Sequence, residues 1–392
     1  MAFEDAFTDS HRYKENVIAL TFVRLFGLLS MIASGLLCRD IARKLYSRSG
    51  AFLQKVSLSQ SILIVLATAD FFGAFFVQFI STWMVPVHSQ LLGAVGSQQS
   101  CVAQGFLSTF FYSLSALTNA SLAVAYCLIL RRGWDDKDKS RNRLPFVLIP
   151  SIASLVLAVA PLFGSNYNYN GGYSCYISGD PPGCELDPNP HETCSRGAQA
   201  REMLLYVGLI PALAALLIVT IAVLLLIHTV LVQERRMDKY QRTGRSRKLT
   251  MESFWQGMFY IGTFAFSWIP WLVFGFREYI YHQIDPLTYY IMLLITPLHG
   301  VLNAFVYFRP RVKSERGRNP NDSRCKSLMK VLQIKCCRSK PKERAGNPPI
   351  IRTNQQVQKD AEMGTKISNP KTIIDSELAQ DAEIAIESQT KD

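Results

Sequence analysis

Seven long apolar stretches, kept almost free of charge, constrain this chain more than any other feature: residues 17–38, 57–85, 101–130, 144–164, 203–231, 253–276 and 286–308. Of its 42 Lys and Arg and 30 Asp and Glu, only Arg24 and Asp70 fall inside them. An amphipathic helix of a water-soluble domain carries charge along its solvent face, so segregation this strict excludes such a fold. A helix crosses a hydrocarbon layer of about 30 Å with roughly 20 residues, and each stretch reaches that length. Inside a bilayer each backbone amide must be satisfied by the protein, which leaves helices for runs of this kind. Pro150, Pro161, Pro211, Pro270 and Pro297 fall within the runs, and packed membrane helices tolerate them. The expected fold is all-α, a polytopic bundle of seven membrane-spanning helices.

Loop charge sets direction, because Lys and Arg gather on the cytoplasmic side. Residues 39–56 carry five bases against Asp40, 131–143 six against three acids, and 232–252 seven against three. The alternate loops reverse this: 86–100 has no charge, and 165–202 has five acids against two Arg. Residues 1–16 hold four acids and two bases and lack the basic start and short apolar core of a signal peptide. The amino end is therefore expected outside and the carboxyl end inside. The chain divides into a short extracellular segment (1–16), the seven-span domain (17–308), a basic juxtamembrane segment (309–345) and a cytoplasmic tail (346–392) expected to be disordered from its polar, aromatic-poor composition.

The net charge of +12 is concentrated just after the last span, where 309–345 carries thirteen bases against three acids. A cluster so placed is drawn to anionic inner-leaflet lipid, and membrane lipid rather than nucleic acid is the expected partner. Asp322 or Ser323 can cap a short helix there, with Leu328, Met329, Leu332 and Cys336 on one side. A basic amphipathic helix ending in Cys336 and Cys337 makes these two cysteines lipidation candidates, against the plainer reading of a solvated basic tail.

Four cysteines, Cys101, Cys175, Cys184 and Cys194, fall on the oxidising side, where disulfides persist. Four cysteines allow three pairings, and spacing does not choose among them. Zinc on Cys175, Cys184, His191 and Cys194 would lack the tight C-x-x-C knuckle of structural sites, so no metal or other cofactor is expected. Enzyme signatures such as GxSxG, HExxH, a P-loop or GxGxxG are missing, and residues 286–308 contain no Lys for a retinal Schiff base. No catalytic residue is assigned. A seven-span transporter or channel is the alternative class. Transporters repeat their halves, and the first three spans share no pattern with the last three.

At the motif level the chain resembles heptahelical G-protein-coupled receptors, and among them the cAMP-receptor-like group of slime moulds and other microbial eukaryotes, with secretin-like overlap. The likeness covers roughly residues 17–311. It rests on LATADFF around Asp70, on CVAQG with Cys101, Gln104 and Gly105, and on CYIS, where Tyr176 replaces the usual Trp. FSWIPW supplies a W-x-P bend through Trp268 and Pro270, and PLHGVLNAFVYF matches P-x-x-G-x-x-N-x-x-x-Y through Pro297, Gly300, Asn303 and Tyr307. Two positions depart: span three ends AVAYCLILRR without a D-R-Y triplet, and His299 stands where Gln is common. The resemblance implies a plasma-membrane receptor that takes up an extracellular ligand and activates a cytosolic heterotrimeric G protein. It places Cys101 with Cys175, which leaves Cys184 and Cys194 for each other. No ligand-contact set carries over.

Within that frame Arg24, roughly two turns inside span one, is a weak candidate anchor for an anionic ligand. Arg131, Arg132, Arg235, Arg236 and Lys248 are candidate G-protein contacts, although topology alone demands bases there. An unpaired charge on Asp70 would cost at least about 2.5 kcal/mol in the membrane, so it should face the bundle interior with a partner. Helical rise brings His299 and Asn303 to a comparable depth. Asp70, His299, Asn303 and Tyr307, with water or a cation, are expected to form a polar network that repacks on activation beside the bends at Trp268, Pro270 and Pro297. A static contact between two helices is the plainer alternative.

Overall fold

In the computed structural model, seven helices among the described residues are long and apolar enough to cross a membrane: Val17–Arg43 (α1), Leu58–Phe79 (α2), Gln98–Arg132 (α3), Arg141–Gly164 (α4), Ala200–Val232 (α5), Met258–Tyr281 (α6) and Leu287–Arg318 (α7). A short helix, Arg324–Val331 (α8), follows. The structure describes residues 2–48, 57–132, 136–185, 193–239, 244–281, 286–320 and 322–332.

Local chemistry explains where the helices start and bend. Ser57 opens α2 with a reciprocal cap, its Oγ accepting from Gln60 N and Gln60 Oε1 from Ser57 N. The helix does not run regularly to Val85, as the apolar pattern suggests. It widens into a π-turn at Ala74–Phe79 and ends in a 3-10 turn at Ser81–Met84, with Ser81 at φ 48°. Gln104 takes up the freed carbonyls: its Nε2 donates to Phe76 O and Ser81 O, both at 2.8 Å. Pro270 lies inside α6, and Pro297 sits in a 3-10 break, Thr296–Leu298, that divides α7.

Burial separates centre from rim. More than half of the apolar window of α2, α3 and α7 is buried (56%), against 22% in α1 and α4, so the first three form the bundle interior. One core packs Leu37, Ile62, Leu122, Tyr260 and Phe308. A second packs Ala116, Leu209, Phe264, Trp268 and Leu272.

Between α4 and α5 the chain forms a hairpin of β1 (Tyr167–Tyr169) and β2 (Cys175–Ile177), antiparallel with Tyr167 opposite Ile177. Disulfides join Cys101 to Cys175 and Cys184 to Cys194, the pairing the resemblance implied. The C-x-x-Q-G motif now has a physical account. Cys101 ties the hairpin to α3, Gln104 Oε1 accepts from Cys175 N at 2.8 Å, and Gly105 leaves room for Tyr167, whose ring a Cβ would meet at 2.5 Å. Likewise a Cβ on Gly300 would lie 2.4 Å from the hydroxyls of Ser30 and Ser34, so the glycine of the α7 motif permits close packing on α1.

Candidate functional site

Asp70 is 8% exposed on α2 and faces α3 and α7. Its Oδ1 accepts from Ser115 Oγ at 2.7 Å and its Oδ2 from Asn303 Nδ2 at 2.8 Å. Both oxygens act as acceptors, the arrangement of a carboxylate. His299 Nε2 lies 3.1 Å from Asn303 Nδ2 and 3.2 Å from Asn119 Nδ2, where it accepts from the amides. A ring nitrogen that accepts carries no proton, so its 3.8 Å approach to Asp70 Oδ1 is not an ion pair in this arrangement. Asn119 also donates to Ser115 O.

Of the predicted set, the structure brings Asp70, His299 and Asn303 together and leaves Tyr307 apart. Residues at i, i+4 and i+8 drift by roughly 40° per step around a helix of 3.6 residues per turn. Tyr307 is thus turned well away from His299, and its Oη donates to Asp40 Oδ2 of α1 at 2.7 Å. Arg311 completes this second cluster. It bonds Asp40 through Nη1 and Tyr307 Oη through Nη2, and its guanidinium lies 4.2 Å from the Tyr307 ring centroid. Sequence reasoning missed Ser115 and Asn119. Their signal is an i, i+4 polar pair inside an apolar run.

Above the network, toward the hairpin, lies an open cavity whose empty space, with the solvent at its mouth included, is about 430 Å³. Tyr112, Tyr176, Trp268 and Trp271 wall it, with Ser113 and Thr296 as its hydroxyl groups beyond the tyrosines. Trp268 packs edge-on to Tyr112, centroids 6.3 Å apart, and to His299 at 6.4 Å, so one ring touches both cavity and network. Gly208 lies against Trp271, where a Cβ would approach the ring to 3.3 Å. Burial pushes the Tyr176 phenol up to about 12, keeping it a neutral hydroxyl at physiological pH. A second space, lined by Asp70, Ser115, Trp268, Thr296 and His299 among others, adjoins the first through Tyr112, Trp268 and Thr296.

The other predicted residues fall elsewhere. Arg24 is not among those lining the cavity: its Nη2 donates to Thr82 Oγ1 at 2.9 Å and the guanidinium lies over Trp83, 5.4 Å from the ring centroid. Arg131 and Arg132 are exposed at the end of α3. The side chains of Arg235, Arg236 and Lys248 lie outside the described residues, as do Cys336, Cys337 and His191. The zinc alternative fails on chemistry, since Cys175, Cys184 and Cys194 are all consumed in disulfides.

In α8, Ser323 Oγ accepts from Lys326 N at 3.2 Å as the cap. Asp322 pairs with Lys326 at 2.6 Å and with Lys330. These hydrogen bonds hold the Asp322 carboxyl below its usual range, Lys326 first, while Asp322 raises the Lys330 ammonium. The buried side of α8 meets the expected one at Leu332 but not at Leu328. Ser327 is fully buried and Val331 and Leu332 pack on the core, whereas Leu328 is exposed.

The family model for the 7 transmembrane receptor (rhodopsin family) matches residues 52–307. Squid rhodopsin, a solved structure, resembles the chain with a TM-score of 0.56 at 14% identity, over 82% of this chain and 93% of that one. At that identity the likeness is one of fold. A search of curated proteins finds no match. With two thirds of its length under the family model, the chain belongs to the rhodopsin family of seven-transmembrane receptors, a receptor family and not an enzymatic one.

Proposed function

We propose that the hairpin-end cavity binds the receptor's extracellular ligand and that occupancy alters the far end of the bundle, where a heterotrimeric G protein is engaged. The observation that carries this is Trp268, which walls the cavity and packs on His299 of the Asp70 network. A ligand pressing on that ring has different contacts in two arrangements of the network, which is what a population shift requires. Pro270, two residues further on, removes a backbone donor from α6, and Pro297 breaks α7 beside the network. Both loosen the helices that must move. Arg131, Arg132, Arg235, Arg236 and Lys248 supply the basic far-end surface for the G protein.

The hairpin end faces outward in this reading and the tail lies in the cytosol, as the loop charges indicate. The protein resides in the plasma membrane. Its basic segment contacts anionic inner-leaflet lipid, Cys336 and Cys337 carry acyl chains, and nucleic acid is not a partner. The narrower kinship with cAMP-receptor-like receptors rests on the C-x-x-Q-G, W-x-P and P-x-x-G-x-x-N-x-x-x-Y motifs. A screen of small metabolites for nucleotide exchange on purified heterotrimeric G proteins tests the function. Exchange stimulated by a ligand supports it, and substrate flux in liposomes without exchange would replace it with a transporter.

A further inference from the structure

The cavity walled by Tyr112, Tyr176, Trp268 and Trp271 contains no Asp, Glu, Lys, Arg or His among its lining residues. An ammonium group buried there would lose its hydration and find no carboxylate on the walls, and a carboxylate would find no cation. Asp70, in the adjoining space, already accepts from Ser115 and Asn303. Arg24, the one Lys or Arg inside the seven apolar stretches, is engaged with Thr82 and Trp83 and does not line the cavity. The walls offer ring faces and edges instead, which favour a flat apolar body.

Among the hydroxyl groups on these walls, that of Thr296 stands apart. Thr296 lines both spaces, and its Oγ1 is buried without a hydrogen-bond partner. Buried Thr109 donates to the carbonyl four residues earlier, as does exposed Thr220, whereas Thr118 in α3 shares the unpaired state of Thr296 but does not line the cavity. Thr296 begins the 3-10 break before Pro297 and makes no such bond. A buried hydroxyl left unpaired is costly, and a ligand that pairs with it recovers that loss.

We propose that the receptor's ligand is an uncharged small molecule with a flat aromatic or apolar body and a single neutral hydroxyl-like group, the body lying among Tyr112, Tyr176, Trp268 and Trp271 and the polar group bonded to Thr296 Oγ1. This rests on the reading that the hairpin-end cavity is the ligand site.

Three probes sharing one ring system isolate the charge: 2-(2-naphthyl)ethanol, 2-(2-naphthyl)ethylamine and 2-naphthylacetate. Affinities for the full-length chain in lipid nanodiscs follow from the rise of its unfolding midpoint with probe concentration. The alcohol is expected to bind at least about tenfold more tightly than the amine or the acid, the ratio that one hydrogen bond or one unpaired charge produces. Thr296→Val should weaken the alcohol by about tenfold and leave 2-ethylnaphthalene unchanged, while Thr296→Ser keeps the hydroxyl and restores wild-type binding. The unliganded midpoint of each variant reports whether it folds. Equal or tighter binding of a charged probe overturns the proposal, as does indifference of the alcohol to Thr296→Val, or no shift with the alcohol up to about 1 mM. Ser113→Phe, which fills the cavity, separates the two readings. If charged probes bind best and Ser113→Phe abolishes them, the site stands and the ligand class falls. If the alcohol binds equally to wild type and Ser113→Phe, the site reading itself is wrong.

Discussion

Asp70 shows how far single residues could be read. A lone acid in an apolar run demands partners, and depth along the helices pointed to span seven; the structure supplies Asn303 there, with His299 joined through it. The α3 partners Ser115 and Asn119 were not legible, because small polar residues in membrane helices often bond only to their own backbone. The geometry makes Asp70→Asn an informative substitution. The amide can turn its Oδ1 to Asn303 and its Nδ2 to Ser115 Oγ, so the variant keeps shape and both contacts. What it loses is charge, and hydrogen bonds to a charged group contribute about 1.5 to 3 kcal/mol against 0.5 to 1.5 for neutral ones. Asp70→Asn is expected to reach the cell surface with altered basal nucleotide exchange and agonist potency, and His299→Gln to be milder. Surface expression with both parameters unchanged would reduce the network to a static contact.

At the scale of elements, the long apolar runs declared their helices, while the π-turn and 3-10 end of α2 were hidden, since their cause is Gln104 on another helix capturing the carbonyls. The hairpin is held differently. Cys101 and Cys175 are 74 residues apart and Cys184 and Cys194 only 10, so loop-closure entropy assigns about 4.5 and 2.8 kcal/mol to the two bridges. The Cys101→Ser/Cys175→Ser double variant should therefore lower the unfolding midpoint more than Cys184→Ser/Cys194→Ser. The reverse order would mean that the long bridge contributes little beyond the packing of Tyr167 against Gly105. In α8 the pairs of Asp322 with Lys326 and Lys330 fix a pH window. Asp322 titrates below its ordinary 3.8 in the folded chain, so its contribution is present at neutral pH and lost as pH falls through that depressed value. Lys330 titrates above 10.5, so its contribution is present below that and lost as pH rises past it. Hydrogen-exchange protection factors for residues 324–331 should stay flat across neutral pH and fall at pH 7 in Asp322→Asn. No change in that variant would show the helix to be held by Ser327, Val331 and Leu332 alone.

For the whole molecule, span number and class followed from charge segregation, and kinship with G-protein-coupled receptors from a handful of spaced motifs, but membership of the rhodopsin family and the way α1 joins α7 did not. Asp40 reads as a single acid in a basic loop, and Arg311 as one of many tail bases; only the folded bundle makes them a cluster around Tyr307. Together they pin the far end of α7 to α1, while Pro297 leaves α7 broken about 1.7 helical turns above Asn303 and about 2.8 above Tyr307. A helix hinged at one point and tied at another has two natural arrangements, tied and released. Tyr307→Phe keeps the ring under the Arg311 guanidinium and removes only the hydroxyl that donates to Asp40 and accepts from Arg311. Losing a net contribution of about 1 kcal/mol shifts a two-state balance roughly fivefold. If release of α7 accompanies opening toward the G protein, basal nucleotide exchange by Tyr307→Phe should rise several-fold at equal surface expression, with agonist potency increasing in step because less of the binding energy is spent on release. Asp40→Asn, which weakens the same tie from the α1 side, should act in the same direction. Should both variants signal at wild-type basal levels, the cluster braces the two helices in every state and the motion lies in α6 alone.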